Sequence, residues 1–309
     1  MKRFVFPVLA TLAVVALLGA AALRRAATQA VPTAQMAVVA TFYPLAEFAR
    51  RVGGEDVAVR TLVPPGAEPH DWEPTPGDLV AMQRARVFVY NGAGFETWVD
   101  NVLPDLRRAG VIILDASQGL PLLARADEAN ARAGRGDPHF WLDPVLAQEI
   151  VKRLAETLGQ ADPAHAGRYR ERAAAYVRQL DNLDAAYRSG LKDCRRRTII
   201  AAHAAFAYLA QRYDLQALSI QGLSPDVEPS PEDLRRLAEQ ARQRDIHYVF
   251  FERLVSPRLA EVLAKEVGAQ TLVFDPLEGL SDEEMAAGKD YLSVMKDNLA
   301  NLRIALDCA

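Results

Sequence analysis

The sequence lacks a surplus of basic residues, and this argues against one class of partner. It has 36 Lys and Arg against 40 Asp and Glu, a formal net charge of -4. Little positive charge is therefore available to neutralise the phosphates of a nucleic acid. Low-complexity tracts and short-period repeats are also missing. With 50% hydrophobic and 25% charged residues, the composition is that of a soluble globular protein, and 309 residues allow about two domains.

Cysteine is scarce, since the chain has only Cys194 and Cys308. In an exported protein an even number fits one disulfide, which here would close a loop of 308 − 194 = 114 residues. Two unpaired thiols are the alternative. Cysteine is a common zinc ligand, but Cys308 adjoins the C-terminus and Cys194 lies in the charged sequence KDCRRR. Neither is therefore placed in a metal site.

The N-terminal 35 residues have the pattern of an export signal. Two basic residues precede an apolar run, residues 4–23, which ends in small residues suitable for cleavage. A retained membrane anchor is the alternative, because about 20 apolar residues can span a bilayer. No cysteine lies near the end of the run, which excludes a lipid-modified cysteine there. We expect an exported protein, in the periplasm or at the outer face of the cytoplasmic membrane, with residues 1–35 as signal or anchor plus leader.

Strand-like and helix-like segments alternate along the rest of the chain, separated by short stretches with Gly or Pro. This alternation predicts an α/β fold with mainly parallel sheets and helices packed on them. We expect an N-terminal lobe, residues 36–161, a connecting helix, residues 162–190, and a C-terminal lobe, residues 191–309.

The connecting segment has the pattern of one long amphipathic helix. Apolar residues recur at spacings of three and four from Ala173 to Tyr187, and no Pro or Gly interrupts residues 168–189. A helix of about 25 to 30 residues is long for a globular domain. It predicts a stiff connector between the lobes and limited lobe movement.

Histidine is also scarce, and its placement is informative. Three of the five histidines lie in loop-like contexts: His70 in GAEPHDWEPTP, His139 in DPHFWLDP and His203 at the start of HAAFAYLAQRY. Asp275 in VFDPLEG is a fourth candidate ligand. All but His139 lie at or just beyond the C-terminal end of a predicted strand, where open α/β sheets bind ligands. Two come from each lobe, so the pattern predicts a site in the cleft, with a ligand set that zinc favours.

A longer series of motifs extends this pattern over the chain. In order, it contains GAEPHDWEPTPGDL, VYNGAGFETWV, DPHFWLDP, HAAFAYLAQRYDL, IQGLSPDVEPSPEDL, FFERLVS and FDPLEG. Together they resemble the cluster A-I solute-binding proteins of zinc and manganese ABC importers, from about residue 38 to residue 306. The resemblance implies two Rossmann-like lobes, one rigid connecting helix and one metal ion in the cleft. The ligands that it implies are His70, His139, His203 and Asp275.

The third ligand position bears on the choice of metal. The resemblance implies zinc where this position is a histidine and manganese where it is a glutamate, and here it is His203. Three nitrogens and one oxygen suit zinc, whereas manganese prefers more carboxylates. Many zinc-specific members carry a His- and acid-rich loop before the second histidine. Here the stretch from Leu122 to Asp137 is short and holds Asp127, Glu128 and Asp137 but no histidine, so manganese, or mixed binding, stays an alternative.

Other polar residues have weaker signals. Glu252 in FFER and Glu228 in DVEPSP are candidates for orienting a ligand imidazole, with a helix cap or a cleft salt bridge as the alternative. His165 is expected to be exposed and His247 to be structural. Asp143 is expected to cap the helix that starts at the next residue.

These observations predict a monomeric metal-binding component of an ABC importer, which delivers Zn²⁺ to a permease in the cytoplasmic membrane. We expect no enzyme, because HExxH and a nucleophile elbow are both missing. A zinc hydrolase and an adhesin stabilised by its metal are the alternatives from other classes. A stiff connector would leave metal release to a local movement, for which the loop carrying His139 is the candidate.

Overall fold

The computed structural model describes residues 35–124, 136–225 and 227–309. The predicted signal or anchor, and the central part of the predicted short loop with Asp127 and Glu128, lie outside these residues. In the part of the chain that is described, no helix is both long enough and apolar enough to cross a bilayer.

The N-terminal half contains one four-stranded parallel sheet with the strand order β2-β1-β3-β4. Its strands are β1 (Met36–Ala40), β2 (Val57–Thr61), β3 (Val87–Tyr90) and β4 (Ile112–Asp115). The helices of this half are α1 (Tyr43–Gly53), α2 (Pro76–Arg84), α3 (Val99–Arg108) and α4 (Pro144–Ala161). Every ladder is parallel, and buried apolar clusters line both faces of the sheet, as expected for an α/β layer structure.

The C-terminal half contains two parallel strand pairs, β5-β6 and β7-β8, with β5 lying against β7. Its strands are β5 (Thr198–Ala201), β6 (Gln216–Ser219), β7 (Tyr248–Phe251) and β8 (Gln270–Val273). Its helices are α6 (Ala207–Arg212), α7 (Pro231–Gln243), α8 (Arg258–Val267), α9 (Asp282–Ala286) and α10 (Tyr291–Ala305). The predicted fold class, α/β with mainly parallel sheets, is confirmed.

A single helix, α5 (Ala166–Gly190), connects the two halves. Its buried residues repeat every three or four positions, namely Tyr169, Ala173, Tyr176, Leu180, Leu183 and Tyr187. This stripe packs against α1 and α4 of the first half and against α10 of the second. The predicted long helix is confirmed, although residues 163–165 form a separate 3-10 turn before it. The exact lobe boundaries, at 161/162 and 190/191, stay predictions.

Local sequence signals explain several helix starts. Asp143 accepts hydrogen bonds from the N–H groups of Val145 and Leu146 at the start of α4, and Ser230 accepts one from Asp233 N at the start of α7. Such caps satisfy N–H groups that have no partner within the helix. The predicted disulfide is confirmed, because Cys194 and Cys308 are bonded. It joins the segment after α5 to the segment after α10.

Candidate metal centre

Three histidines from distant parts of the sequence meet at one point. His70 lies in the loop after β2, His139 lies just before the 3-10 turn that leads into α4, and His203 follows β5 by two residues. The Nε2 atom of His139 lies 3.4 Å from Nε2 of His70 and 3.3 Å from Nε2 of His203. The three imidazoles therefore present the same ring nitrogen to a common centre.

Glu278, which follows β8, brings a carboxylate to the same centre. Its Oε1 lies 3.1 Å from Nε2 of His70, 3.5 Å from Nε2 of His139 and 3.3 Å from Nε2 of His203. The side chain is 1% exposed, and Oε2 has no hydrogen-bond partner. Among the described residues, these four side chains are the group whose ligand atoms all lie within 4.8 Å of one another.

The distances match a tetrahedral metal site. Zinc bonded at about 2.0–2.1 Å by nitrogen and oxygen in tetrahedral geometry puts neighbouring ligand atoms roughly 3.3 to 3.4 Å apart. The five ligand–ligand distances given above lie between 3.1 and 3.5 Å. The sixth distance, between His70 and His203, is within 4.8 Å, so the four side chains are close enough together to hold one metal ion.

Asp275, predicted from the sequence as the fourth ligand, is not part of this group in the structure. Its Oδ1 accepts the Leu277 N–H at 2.8 Å, and its Oδ2 accepts from Arg253 at 3.0 Å. Both oxygens are therefore engaged away from the histidines. Burial raises the pKa of Asp275 to about 6, with the Leu277 N–H and the Arg253 charge opposing the rise. Glu278, three residues later, supplies the carboxylate instead.

His203 is held by a buried carboxylate. Its Nδ1 lies 2.8 Å from Oε1 and 2.9 Å from Oε2 of Glu252, and both side chains are buried. If Nδ1 carries the proton and donates it to Glu252, the Nε2 lone pair faces the centre. Burial alone would lower the pKa of His203, but the charges of Glu252 and Glu278 outweigh it and raise that pKa well above its usual value.

His139 is held in the same way by Asp137, which was not among the predicted site residues. Asp137 Oδ1 accepts from both the backbone N–H and Nδ1 of His139, at 2.9 and 2.8 Å. Burial lowers the pKa of His139, but Asp137 and Glu278 prevail and the pKa is raised. The spacing Asp-Pro-His was the available signal, because a side chain two residues away can bond the backbone of a turn.

His70 is held more loosely. Its side chain is 9% exposed, whereas that of His139 is fully buried. Its backbone N–H donates to Glu68 at 3.0 Å. Burial lowers the pKa of His70, and the nearby charge of Glu278 does not reverse this. Burial, followed by the charge of Glu278, raises the pKa of Glu68.

The remaining predicted residues lie elsewhere. Glu228 is exposed and lines a groove between β6 and α7, and no hydrogen bond joins it to a described histidine. His247 is also exposed and contacts Asp245 at 3.0 Å, which does not support the expectation that it is structural. His165, expected to be exposed, pairs with Asp162 at 2.5 Å and is about a quarter exposed. Neither histidine approaches the centre.

The fold and the site thus define a two-lobed α/β protein with a buried cluster of three histidines and one glutamate. Residues 38–305 match the family described as zinc-uptake complex component A, periplasmic, and the chain belongs to this family. The family resemblance that the motifs indicated is confirmed.

The chain matches one relative over most of its length and another over little more than half. The chain is 38% identical over 277 residues to the high-affinity zinc uptake system protein ZnuA of Bacillus subtilis, covering 87% of each chain. It is 37% identical over 300 residues to the zinc-binding protein AdcA of Streptococcus pyogenes, with 92% of this chain but only 58% of AdcA covered. The chain therefore spans somewhat more than half of the AdcA relatives that it matches.

Solved structures show the same fold. The Zn(II)-bound ZnuA-like domain of Streptococcus pneumoniae AdcA aligns with a TM-score of 0.78 and 38% identity, covering 88% of this chain and 99% of that domain. The laminin-binding protein Lmb of Streptococcus agalactiae, described as a bifunctional protein with adhesin and metal transporting activity, aligns with a TM-score of 0.80 and 33% identity, covering 88% of this chain and 99% of Lmb.

Proposed function

We propose that this protein is the extracytoplasmic solute-binding component of an ABC importer, and that it captures Zn²⁺ and delivers it to a membrane permease. The observation that carries the proposal is the cluster of three Nε2 atoms and one carboxylate oxygen, in which five of the six separations are 3.1 to 3.5 Å and all lie within 4.8 Å. The ligands are His70, His139, His203 and Glu278. Zinc takes such a four-coordinate set of nitrogen and oxygen ligands.

Zinc is the favoured cargo over manganese. The site offers three imidazoles and one carboxylate, and affinity for nitrogen-rich sites rises from Mn²⁺ to Zn²⁺ in the Irving–Williams series. The names of the relatives, zinc uptake and zinc-binding proteins, support the same choice. Mn²⁺ then binds more weakly, through a site with too few oxygens.

Capture, not catalysis, suits the ligand number. A catalytic zinc keeps a coordination position open for water or substrate, whereas four protein ligands fill a tetrahedral shell. The site is also buried, since three of the four side chains are at most 1% exposed. The arrangement supports a carrier that shields its ion from water until the permease receives it, and we propose that this carrier is a monomer.

Competition titration tests the proposal. Protein freed of metal is titrated with Zn²⁺ in the presence of a chelator, and then with Mn²⁺ against bound Zn²⁺. We expect one Zn²⁺ per chain and no displacement by equimolar Mn²⁺. His203→Ala and Glu278→Ala should each lose orders of magnitude in affinity with an unchanged circular dichroism spectrum, and His247→Ala, in an exposed histidine, should lose none. Preference for Mn²⁺, or equal effects of His203→Ala and His247→Ala, would refute the proposal.

An adhesin role is the second candidate, because several structural relatives are laminin-binding proteins. A binding assay on immobilised laminin, with zinc-loaded and zinc-free protein, separates the two roles. A carrier without adhesin activity shows no retention in either form. Zinc-dependent retention would add the second role.

A further inference from the structure

The turn that carries Glu278 has an unusual backbone conformation. Leu277, directly before Glu278, has φ of 59° and is fully buried. A non-glycine residue enters the left-handed region only when its surroundings impose it, because the Cβ atom crowds the backbone there. The contacts of this turn therefore determine the direction in which Glu278 leaves the chain.

Asp275 makes the contact that closes the turn. Its Oδ1 accepts the Leu277 N–H at 2.8 Å, the two-residue spacing by which Asp side chains stabilise turns. Its own backbone is fixed by Asn298, which accepts from Asp275 N at 2.9 Å and donates to Asp275 O at 2.7 Å. Side chain and backbone of Asp275 are thus both held.

The turn is also tied to the segment that carries another ligand. Trp141, two residues after His139, donates its indole N–H to Pro276 O at 2.8 Å. Asp275, Pro276 and Leu277 therefore each make a defined hydrogen bond, and Glu278 is the next residue. Its Oε1 reaches all three histidines within 3.5 Å.

We propose that Asp275 is a positioning residue, which fixes the left-handed turn at Leu277 and so aims the Glu278 carboxylate at the three histidines. This inference rests on the proposed function, since it takes Glu278 as a zinc ligand. Asp275 itself contributes no oxygen to the metal, because Oδ1 serves Leu277 and Oδ2 serves Arg253.

Two substitutions of Asp275 separate positioning from ligation. Asp275→Asn keeps an oxygen that accepts the Leu277 N–H, and Arg253 keeps its second partner, Glu284, at 3.0 Å. We expect its Zn²⁺ affinity to stay close to that of the parent protein. Asp275→Ala removes the acceptor, and we expect a loss of about 10- to 100-fold, the usual effect of removing a group that orients a ligand. Glu278→Ala should lose more.

Cobalt gives a readout that a purely structural role would not change. Co²⁺ replaces Zn²⁺ in four-coordinate sites, and its visible absorption is intense when the site is tetrahedral. The parent and Asp275→Asn should give the same intense spectrum. Asp275→Ala should bind Co²⁺ with weaker, shifted bands, because Glu278 is no longer held in the coordination shell.

Asp115→Ala is the matched control. Asp115 also ends a strand, and its Oδ1 accepts the N–H of Ser117, two residues on, at 2.9 Å. None of the four clustered side chains is among its hydrogen-bond partners. We expect Asp115→Ala to lower the melting temperature and to leave Zn²⁺ affinity and the Co²⁺ spectrum unchanged.

Two results would overturn the inference. If Asp275→Asn loses as much affinity as Glu278→Ala, Asp275 is itself a ligand. If Asp275→Ala keeps parental affinity and spectrum, the turn does not position Glu278. Should Asp275→Ala fail to fold, the comparison of Asp275→Asn with Glu278→Ala still decides. Failure of the proposed function is seen separately, as absence of Zn²⁺ binding by the parent protein.

Discussion

The histidines of the site are held in two different ways. His139 and His203 are fully buried, and each places Nδ1 2.8 Å from a buried carboxylate. His70 lies in a loop, its side chain is 9% exposed, and its loop is joined to the neighbouring ligand turn by the hydrogen bond from Gly66 N to Leu280 O at 3.1 Å. The side chains of His139 and His203 are thus tightly held, whereas that of His70 is less constrained.

The difference indicates a division of roles between the two supports. A carboxylate on Nδ1 fixes the tautomer and orientation of an imidazole and raises its basicity, so His139 and His203 form a ready-made half of the site. His70 lacks this support and lies closer to solvent. We therefore expect a metal ion to be bound first by the fixed pair and then enclosed by His70.

Of the tests of this comparison, removing the two carboxylates that hold His139 and His203 should have the largest effect on Zn²⁺ affinity. Glu252→Ala leaves the His203 N–H without a partner, and Asp137→Ala does the same for His139, so each should weaken Zn²⁺ binding by about 10- to 100-fold. Glu228→Ala is the control, because Glu228 is exposed and no hydrogen bond joins it to a described histidine. Chelator competition measures all three. If Glu252→Ala and Glu228→Ala change the Zn²⁺ affinity equally, the carboxylate on His203 does not contribute to metal binding.

The pH dependence of Zn²⁺ affinity should show the next largest effect, because the three histidines differ in pKa. The pKa of His203 is raised well above its usual value and that of His139 is raised, whereas that of His70 is lowered. The metal-free site therefore keeps protons on the supported pair up to a higher pH than unperturbed histidines would, and Zn²⁺ must displace those that remain because only neutral imidazole binds. Affinity should rise with pH through and above neutrality.

Calorimetry in buffers of different ionisation enthalpy counts these protons. We expect Zn²⁺ binding at pH 7 to release protons, and Glu252→Gln to release fewer, because the loss of the Glu252 charge lets the pKa of His203 fall. His70→Ala should leave the count nearly unchanged. Binding without proton release at pH 7 would contradict this assignment.

The smallest expected difference is in local opening of the two loops that carry His70 and His139. Sequence reasoning named the loop with His139 as the mobile one, and this stays a prediction. The contacts favour the loop with His70, because the other segment is held by Asn91 at Pro138 O (2.9 Å), by Tyr208 at Asp137 O (2.7 Å) and by Tyr291 at Trp141 O (2.5 Å). Hydrogen exchange of metal-free protein should show faster exchange in residues 66–73 than in residues 137–143, and zinc should slow the first more. The reverse order would support the loop with His139 as the mobile one.

Much of the fold follows from local patterns. The stripe on α5 and the cap at Asp143 are short-range signals, and they predicted these elements correctly. Helix α9 was not predicted, although Ser281 and Glu284 form a capping box, which is a readable signature. Its five residues are too few for a hydrophobic period to appear.

The site was less predictable, because its geometry depends on contacts between distant segments. Position at the strand ends and the family resemblance indicated the three histidines. Choosing between Asp275 and Glu278 requires the direction of the chain at Leu277, which is imposed by Asn298, Trp141 and the Asp275 side chain. The sequence indicates that a carboxylate of this segment lies near the histidines. It does not show whether the buried turn directs Asp275 or Glu278 towards them.

X-ray absorption at the zinc edge tests the central claim most directly. The account predicts a first shell of three imidazole nitrogens and one carboxylate oxygen at about 2.0 to 2.2 Å, without sulfur. It also predicts that Glu278→Ala replaces only the carboxylate, while Asp275→Asn leaves the shell unchanged. A shell with two imidazoles, or one that changes in Asp275→Asn and not in Glu278→Ala, would contradict the site of three histidines and Glu278.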